Sequence, residues 1–417
     1  MIKFFGKFTS FFVISILLVF TVRRLLFAFT ILFLGERKKD EKILGNQDFF
    51  QEVIILIPCR DEAEMIPGLC RSLIEIDYPV EKYRVVLIDD GSTDGTGDLM
   101  KEYAEERPGW YVLSLPGNTG KASALNNALA RFPFGEIIFV LDADHRPRPD
   151  ILKKVIRYFD DPEVAGVSGY TKVSNPTASP SAYYSTVESS INQLVTMRAK
   201  DRLGLAPALL GSNCGYRRTI LEQCSGYREG AFSEDSDLTV AFYNAGYKVR
   251  FAEDVISFQQ VPQSIRGYLK QHIRWGRGLN DVARVHSREI IRNPRLPLPL
   301  RLELLIFASG YLDRLALAAA GLLTGLAQIR RDLFTFPYQV IIIALLTPLA
   351  QIIALFAKEK VARTMWVRLP VVPLFFLLDI YAAARSLLDT FFNPSRVWTK
   401  TERVIPPQHE DDLRLYR

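Results

Sequence analysis

The residues best suited to chemistry in this chain are acids placed at the ends of short apolar runs. Residues 137–141 (IIFVL) are too few for a good helix and read as a buried strand, and Asp142 and Asp144 follow directly, one residue apart. Pro147 and Pro149 then stop regular structure. In an open α/β sheet, ligands bind where the carboxyl ends of strands meet loops. Two hard oxygen ligands at such a place suit Mg2+ or Mn2+, with diphosphate and water completing the shell. Taken alone, Asp-x-Asp reads equally well as a solvated turn.

Other groups fall in comparable places. Asp89-Asp90-Gly91 closes a second apolar run at 83–88, and Pro58-Cys59-Arg60-Asp61-Glu62 closes a third at 51–58. Gly120-Lys121-Ala122 opens a helical stretch, where a lysine and free N–H groups meet a phosphate or where the lysine is simply solvated. Residues 209–216 (LLGSNCGY) form a small-residue turn that a ligand can approach closely. Ser233-Glu234-Asp235 opens a helix over 238–246, and acids there are ordinarily favourable cap and dipole partners. Gln271, Arg274 and Trp275 share one side of a cationic amphipathic helix over 268–278 (YLKQHIRWGRG). Such a helix also suits a membrane surface, with its tryptophan at the headgroups.

Two phosphate motifs fail on inspection. Gly95-Thr96-Gly97 lacks the third glycine of a dinucleotide fingerprint, which disfavours a membrane-anchored dehydrogenase. Gly117-Asn118-Thr119-Gly120-Lys121-Ala122 is too short for a P-loop and has Ala where Ser or Thr must meet the metal. Cys59, Cys70, Cys214 and Cys224 have no metal-ligand spacing and read as buried thiols in a reducing compartment. The net charge of +6 comes without a basic run or an RNA-binding signature, so nucleic acid is not an expected partner. An anionic membrane face or a diphosphate suits that charge better.

The elements that must hold these groups follow from periodicity. Strands over 51–58, 83–88, 110–115 and 137–141 alternate with helices over 63–77, 99–106 and 120–131. That alternation predicts an α/β fold with a mostly parallel sheet covered on both faces. A helix over 151–159, a strand over 165–170 and a long helix over 182–200 come next, and 294–300 is a proline-broken linker. The chain is 48% apolar, and the apolar residues concentrate before residue 35 and after residue 300. Residues 4–34, 302–329, 334–357 and 367–392 are each long enough to span a bilayer, although a tight pair of spans also fits 4–34. Arg23, Arg24, Glu303, Asp313, Arg314, Asp379, Arg385 and Asp389 lie within them, and such charges face a bundle interior or an aqueous path, or sit at the interface. The charged stretch 36–42 marks a cytoplasmic side. A cytoplasmic tail after residue 392 sits badly with one span plus three, so the topology stays open.

In this order and between apolar segments, Asp89-Asp90-Gly91, Asp142-Ala143-Asp144, Ser233-Glu234-Asp235 and Gln271-His272-Ile273-Arg274-Trp275 resemble the membrane-embedded processive family-2 glycosyltransferases, the synthases of hyaluronan, chitin, cellulose and poly-N-acetylglucosamine. The resemblance covers residues 50–280, and the membrane segments in arrangement only. Gly120-Lys121-Ala122 with Ala124-Leu125-Asn126, and Trp398-Thr399-Lys400-Thr401, are also similar to stretches of that group. Ser233 departs from the usual Thr, and Gly211-Ser212-Asn213-Cys214 matches the acceptor turn in position alone.

The resemblance implies a GT-A-like nucleotide-diphospho-sugar transferase domain flanked by transmembrane helices. It divides the chain into membrane segment 1–45, cytoplasmic transferase domain 46–260, interfacial helices 261–300, transmembrane helices 301–392 and polar tail 393–417. By resemblance, Pro58, Arg60, Glu62, Asp89 and Asp90 hold the uridine half of a UDP-sugar, and Asp142 and Asp144 bind Mg2+ or Mn2+. Lys121 faces the diphosphate, Glu234 is a further substrate-binding residue, Asp235 is the general base, and Gln271 and Arg274 close over the diphosphate. Gly211, Ser212, Cys214 and Trp275 meet the acceptor. The implied product is a β-linked polysaccharide exported through the plasma (inner) membrane, with membrane lipids around it and the oligomeric state undetermined. Glycosylation of a membrane lipid by the same site is the alternative, and a nucleotide-sensing transporter or receptor is a more distant one.

Overall fold

The computed structural model describes residues 2–34, 50–329, 336–359 and 363–392. Helix α1 (Ile2–Phe33) precedes an alternating run of β1 (Val53–Cys59), α2 (Ile66–Ile74), β2 (Tyr83–Asp89), α3 (Thr96–Glu105), β3 (Trp110–Ser114), α4 (Lys121–Arg131) and β4 (Ile137–Val140). Then come β5 (Arg146–Pro147), α5 (Ile151–Val155), β6 (Val164–Val173), α6 (Pro180–Ser190), α7 (Arg198–Arg202), β7 (Cys214–Arg217), α8 (Arg218–Gln223), α9 (Glu234–Ala245) and β8 (Lys248–Gln259). Six helices follow: α10 (Ile265–Arg292), α11 (Leu298–Ala308), α12 (Leu312–Ile329), α13 (Gln339–Lys358), α14 (Arg363–Val367) and α15 (Val372–Phe392).

The strands form one sheet in the order β3-β2-β1-β4-β7-β6-β8-β5. The pairs β1–β2, β2–β3, β1–β4 and β6–β8 are parallel, whereas β7 is antiparallel to both β4 and β6, and β5 to β8. In β1 the side chains of Val53, Ile55 and Ile57 pack with Ile66, Leu69 and Leu73 of α2 on one face. Ile54 and Leu56 pack with Ala124, Leu125 and Ala128 of α4 on the other. A strand buried on both sides has no polar face to show, which is why these runs read as continuous apolar stretches.

Several elements differ from their sequence-based expectation. The 182–200 helix is interrupted by a π-helical stretch, Ile191–Met197. The 302–329 stretch is two helices, broken where Gly310 adopts φ +58°. The expected linker 294–300 already contains the start of α11, and the amphipathic helix expected at 268–278 runs the whole of α10. Strand β8 has no counterpart in the sequence reading. Its charged Arg250, Glu253 and Asp254 spoil the alternation, and its pairing with β6 jumps from Gly169↔Ala252 to Tyr170↔Ile256. The irregularity takes Glu253 and Asp254 out of the pairing, while Arg250 stays paired and meets Asp201 at 2.7 Å.

Among the described residues, four helical segments are long and apolar enough to cross a membrane: Gly6–Phe33, Leu312–Ile329, Gln339–Lys358 and Met365–Phe392. Charges near them pair internally. Arg23 grips Glu303 through two nitrogens at 2.7 and 2.9 Å, Lys200 Nζ reaches the same carboxylate at 2.8 Å, and Arg24 pairs with Asp313. Cys59, Cys70 and Cys214 are buried cysteines, and Cys224 is a half-buried one. The 36–42 stretch, Trp398-Thr399-Lys400-Thr401 and the tail lie outside the described residues.

Candidate active site

The carboxyl ends of β1, β2 and β4 converge on a cavity of about 910 Å³. Pro58, Arg60, Glu62, Asp90 and Lys121 line it, as do Asp142, Asp144, Gly211 and Ser212. Glu234 and Asp235 enter from the first turn of α9, and Gln271, Arg274 and Trp275 from α10. Two expected contacts stand outside this lining. Asp89 instead closes its own turn, accepting the Ser92 N–H at 2.9 Å. Cys214 is the first residue of β7 and fully buried, with its thiol on Ser212 O at 3.2 Å, so it does not face an acceptor. Burial pushes that thiol up to about 11, which leaves it protonated at neutral pH.

Asp90 lines the cavity and also braces a neighbouring loop. One carboxylate oxygen accepts Thr119 N–H and Oγ1–H, both at 2.7 Å, and the other accepts Gly120 N–H at 2.9 Å. That clasp fixes the loop opening α4 and so aims Lys121. Gly91, at φ +70°, allows the turn, because a Cβ there would lie 2.6 Å from Gly117 Cα.

Lys121 is the hub. Its ammonium donates to Asp142 Oδ1 and to Gly211 O, each at 2.7 Å, and stands 3.3 Å from Glu234 Oε1. Burial opposes its charge, but Asp142 and Glu234 overcome this and hold it above the ordinary lysine value. One side chain therefore ties the Asp142–Asp144 turn to the Glu234–Asp235 turn. Ser212 Oγ braces the same place by accepting the Asp142 N–H at 2.8 Å. A Cβ on Gly211 would come within 2.9 Å of Asp235 Oδ2, so the small residue lets the two turns meet.

Asp235 is tuned by its neighbours. Burial first, and the Glu234 carboxylate second, raise it to about 6, although Ser233 Oγ–H at 2.6 Å and Ser236 N–H at 2.7 Å stabilise its charged form. Asp142, Asp144 and His145 present ligand atoms that all lie within 4.8 Å of one another. His145 was not singled out from the sequence, although it directly follows Asp144. Gln259 Nε2 donates to Asp144 Oδ2 at 3.1 Å, and no sequence signal marks it because β8 itself is hidden.

Residues 54–225 match glycosyl transferase family 2. They form a family-2 glycosyltransferase domain. Mannosyltransferase PcManGT from Pyrobaculum calidifontis, solved with GDP-Man and Mn2+, superposes on the fold with a TM-score of 0.60 at 20% identity, covering 95% of this chain and 100% of that one. The fold of the glycosyltransferase domain is GT-A-like, with a mixed, mostly parallel sheet. The probable glycosyltransferase YdaM of Bacillus subtilis is 29% identical over 237 residues, covering 56% of each chain. A beta-monoglucosyldiacylglycerol synthase of Nostoc is 31% identical over 51% of this chain and 45% of its own. A poly-beta-1,6-N-acetyl-D-glucosamine synthase of Staphylococcus aureus is 24% identical over 61% of this chain and 60% of its own. The chain thus spans about half the length of these relatives.

Proposed function

We propose that this protein transfers a sugar from a UDP-sugar, with inversion, to the end of a β-linked polysaccharide, and repeats the transfer as the product moves into the membrane. The observation that carries this reading is the extent of the cavity. The lining that includes Asp142, Asp144 and Asp235 continues through Trp275 to Arg23, Arg24, Arg314 and Gln351 on the membrane helices. A donor alone has no use for that far end; an elongating acceptor has. The paired charges there offer donors and acceptors to hydroxyl groups.

In this reading the 58–62 loop, with Asp89 and Asp90 behind it, frames the nucleoside. Asp142 and Asp144, with His145 as a third group, fit Mg2+ or Mn2+, because their ligand atoms lie within 4.8 Å of one another and small side-chain shifts would bring them onto one ion. A divalent cation held there would supply positive charge to the diphosphate. The Lys121 ammonium faces the same group and stabilises the departing UDP. Asp235, raised to about 6, is ionised at neutral pH yet basic enough to take the acceptor hydroxyl's proton as that oxygen attacks the anomeric carbon. Direct attack inverts the centre and needs no enzyme nucleophile. Gln271 and Arg274 lie over the diphosphate, and Trp275 gives an acceptor ring a flat face beside Gly211 and Ser212. The sheet domain lies on the cytoplasmic side of the inner membrane.

A second reading, one transfer to a membrane lipid, draws on the likeness to the beta-monoglucosyldiacylglycerol synthase and on Phe20, Ile306 and Phe307 in the cavity wall. Release of UDP measured across a panel of donors, with products sized on a gel, tests both. A ladder supports polymerisation, a single glycolipid supports the second reading, and UDP binding without turnover removes both.

A further inference from the structure

The face of α10 next to that of Gln271, Arg274 and Trp275 is bolted to the membrane helices. Tyr268, His272 and Gly276 succeed one another at four-residue intervals on that face, and all are buried. Asp379 of α15, 1% exposed, accepts the Tyr184 hydroxyl at 2.7 Å and also the Tyr268 hydroxyl. His272 stacks on Tyr268 with ring centroids 3.9 Å apart, and its Nε2 meets Glu188 Oε2 of α6 at 2.8 Å. Burial opposes both charges of that pair, yet each partner favours the other, holding His272 above and Glu188 below their ordinary values.

The contact continues along both helices. A Cβ on Gly276 would lie 2.5 Å from Ser386 Oγ, and Asn280 Nδ2 donates to Thr390 Oγ1 at 3.1 Å. Positions 268, 276 and 280 thus meet 379, 386 and 390 in the same order, which fixes the register of α10 against α15. On another side of α10, a Cβ on Gly278 would lie 2.6 Å from Ser233 Cβ, so the same helix abuts the turn that carries Asp235.

Glu188, His272 and Asp379 also place ligand atoms within 4.8 Å of one another. A metal ion is a poor occupant, because an Arg314 nitrogen already stands 3.9 Å from both carboxylates and two tyrosines donate to Asp379. The cluster is instead internally satisfied, and Asp379 does not line the cavity.

We propose that Asp379 is a positioning residue which, through Tyr268 and His272, sets the placement of Gln271, Arg274 and Trp275 over the cavity, so that the last membrane helix governs sugar transfer without touching either substrate. The proposal rests on the roles given above to Arg274 and Trp275, and a double-mutant cycle separates the two. In the full chain in detergent, Asp379→Ala is expected to lower kcat about tenfold, with Asp379→Asn restoring part of it. In an Arg274→Ala background the same change is expected to cost no more than about twofold, since the group it positions is gone. A merely structural role would lower the yield of folded protein and leave kcat per folded molecule intact. Equal losses in both backgrounds, or full activity of Asp379→Ala, overturn the proposal while leaving the site reading standing. A fully active Arg274→Ala overturns the site reading and this proposal together. If Asp379→Ala does not fold, Tyr268→Phe removes one hydroxyl from the same network, and its cycle decides on the same terms.

Discussion

The two ends of the cavity are built on opposite plans. At the sheet end, acids and Lys121 sit on contiguous stretches at strand and helix ends, and backbone groups orient them: Thr119 and Gly120 N–H on Asp90, Gly211 O on Lys121. At the membrane end, single charged residues find partners far along the chain. Arg23 meets Glu303, Arg24 meets Asp313, and Tyr184 meets Asp379. The first plan leaves charge directed at a ligand, as in the Lys121–Asp142–Glu234 group. The second uses its charges on itself. Substitutions at the sheet end are therefore expected to change rate, and substitutions at the membrane end to change stability, except at Asp379, whose network reaches α10 and through it the rate.

The sharpest test of the sheet end is Asp235→Asn. Loss of a general base is expected to lower transfer about 10²- to 10⁴-fold. UDP affinity, read by calorimetry, and melting temperature are expected to stay, because the substitution also relieves the repulsion from Glu234. A parallel loss of UDP binding would make Asp235 a binding group instead. The pH profile sharpens this further. Burial and Glu234 raise Asp235 to about 6, so its basic form is lost as pH falls through about 6, well above the ordinary aspartate range. The rate of transfer is expected to fall below that pH and level off above it. An acid limb that persists in Asp235→Asn would assign the titration to another group.

The membrane end is best broken at Glu303. It is 3% exposed and serves both Arg23 and Lys200, so Glu303→Gln strands one buried and one half-buried cation. Breaking a buried pair in this way is expected to destabilise the fold by about 3–5 kcal/mol. Thermal denaturation in detergent should show the drop, while UDP affinity of the remaining folded protein stays. A variant equally stable but slow would move Glu303 into the first class of residue.

This contrast also explains what the amino-acid sequence reveals. Strand ends carrying Asp90 and Asp142 are legible because a buried parallel strand leaves a short apolar run, and the chemistry follows it within a few residues; Lys121 is legible as the start of a helix. The first turn of α9 is legible as a cap, and its closeness to Lys121 is not, because the 112 residues between Lys121 and Glu234 give no sign of the meeting. His145 is hidden in plain view beside Asp144. Gln259 is hidden because bulged β8 breaks the alternation that would reveal a strand. At the membrane end, periodicity exposes the apolar segments and the charges within them, but nothing local says that Tyr268 belongs with Asp379. The misassigned Cys214 shows the reverse error: a small-residue turn looks open to a ligand, whereas its last residue is already a buried strand.

The smallest expected effect lies at the junction of the two plans. Trp275 is 43% exposed, with the His272 ring behind it at 4.9 Å between centroids. Its inner side is thus held by the network on Asp379 and its outer side is left for a sugar ring. An aromatic contact of this kind contributes about 0.5–1.5 kcal/mol. Trp275→Ala is accordingly expected to weaken acceptor use by about two- to tenfold, read as acceptor KM at saturating donor. Donor KM should move less, because Arg274 and Lys121 keep their places. Equal loss on both sides would mean that the tryptophan props α10 rather than offering a face. The residue would then belong with Asp379, as part of what the membrane helices hold in position.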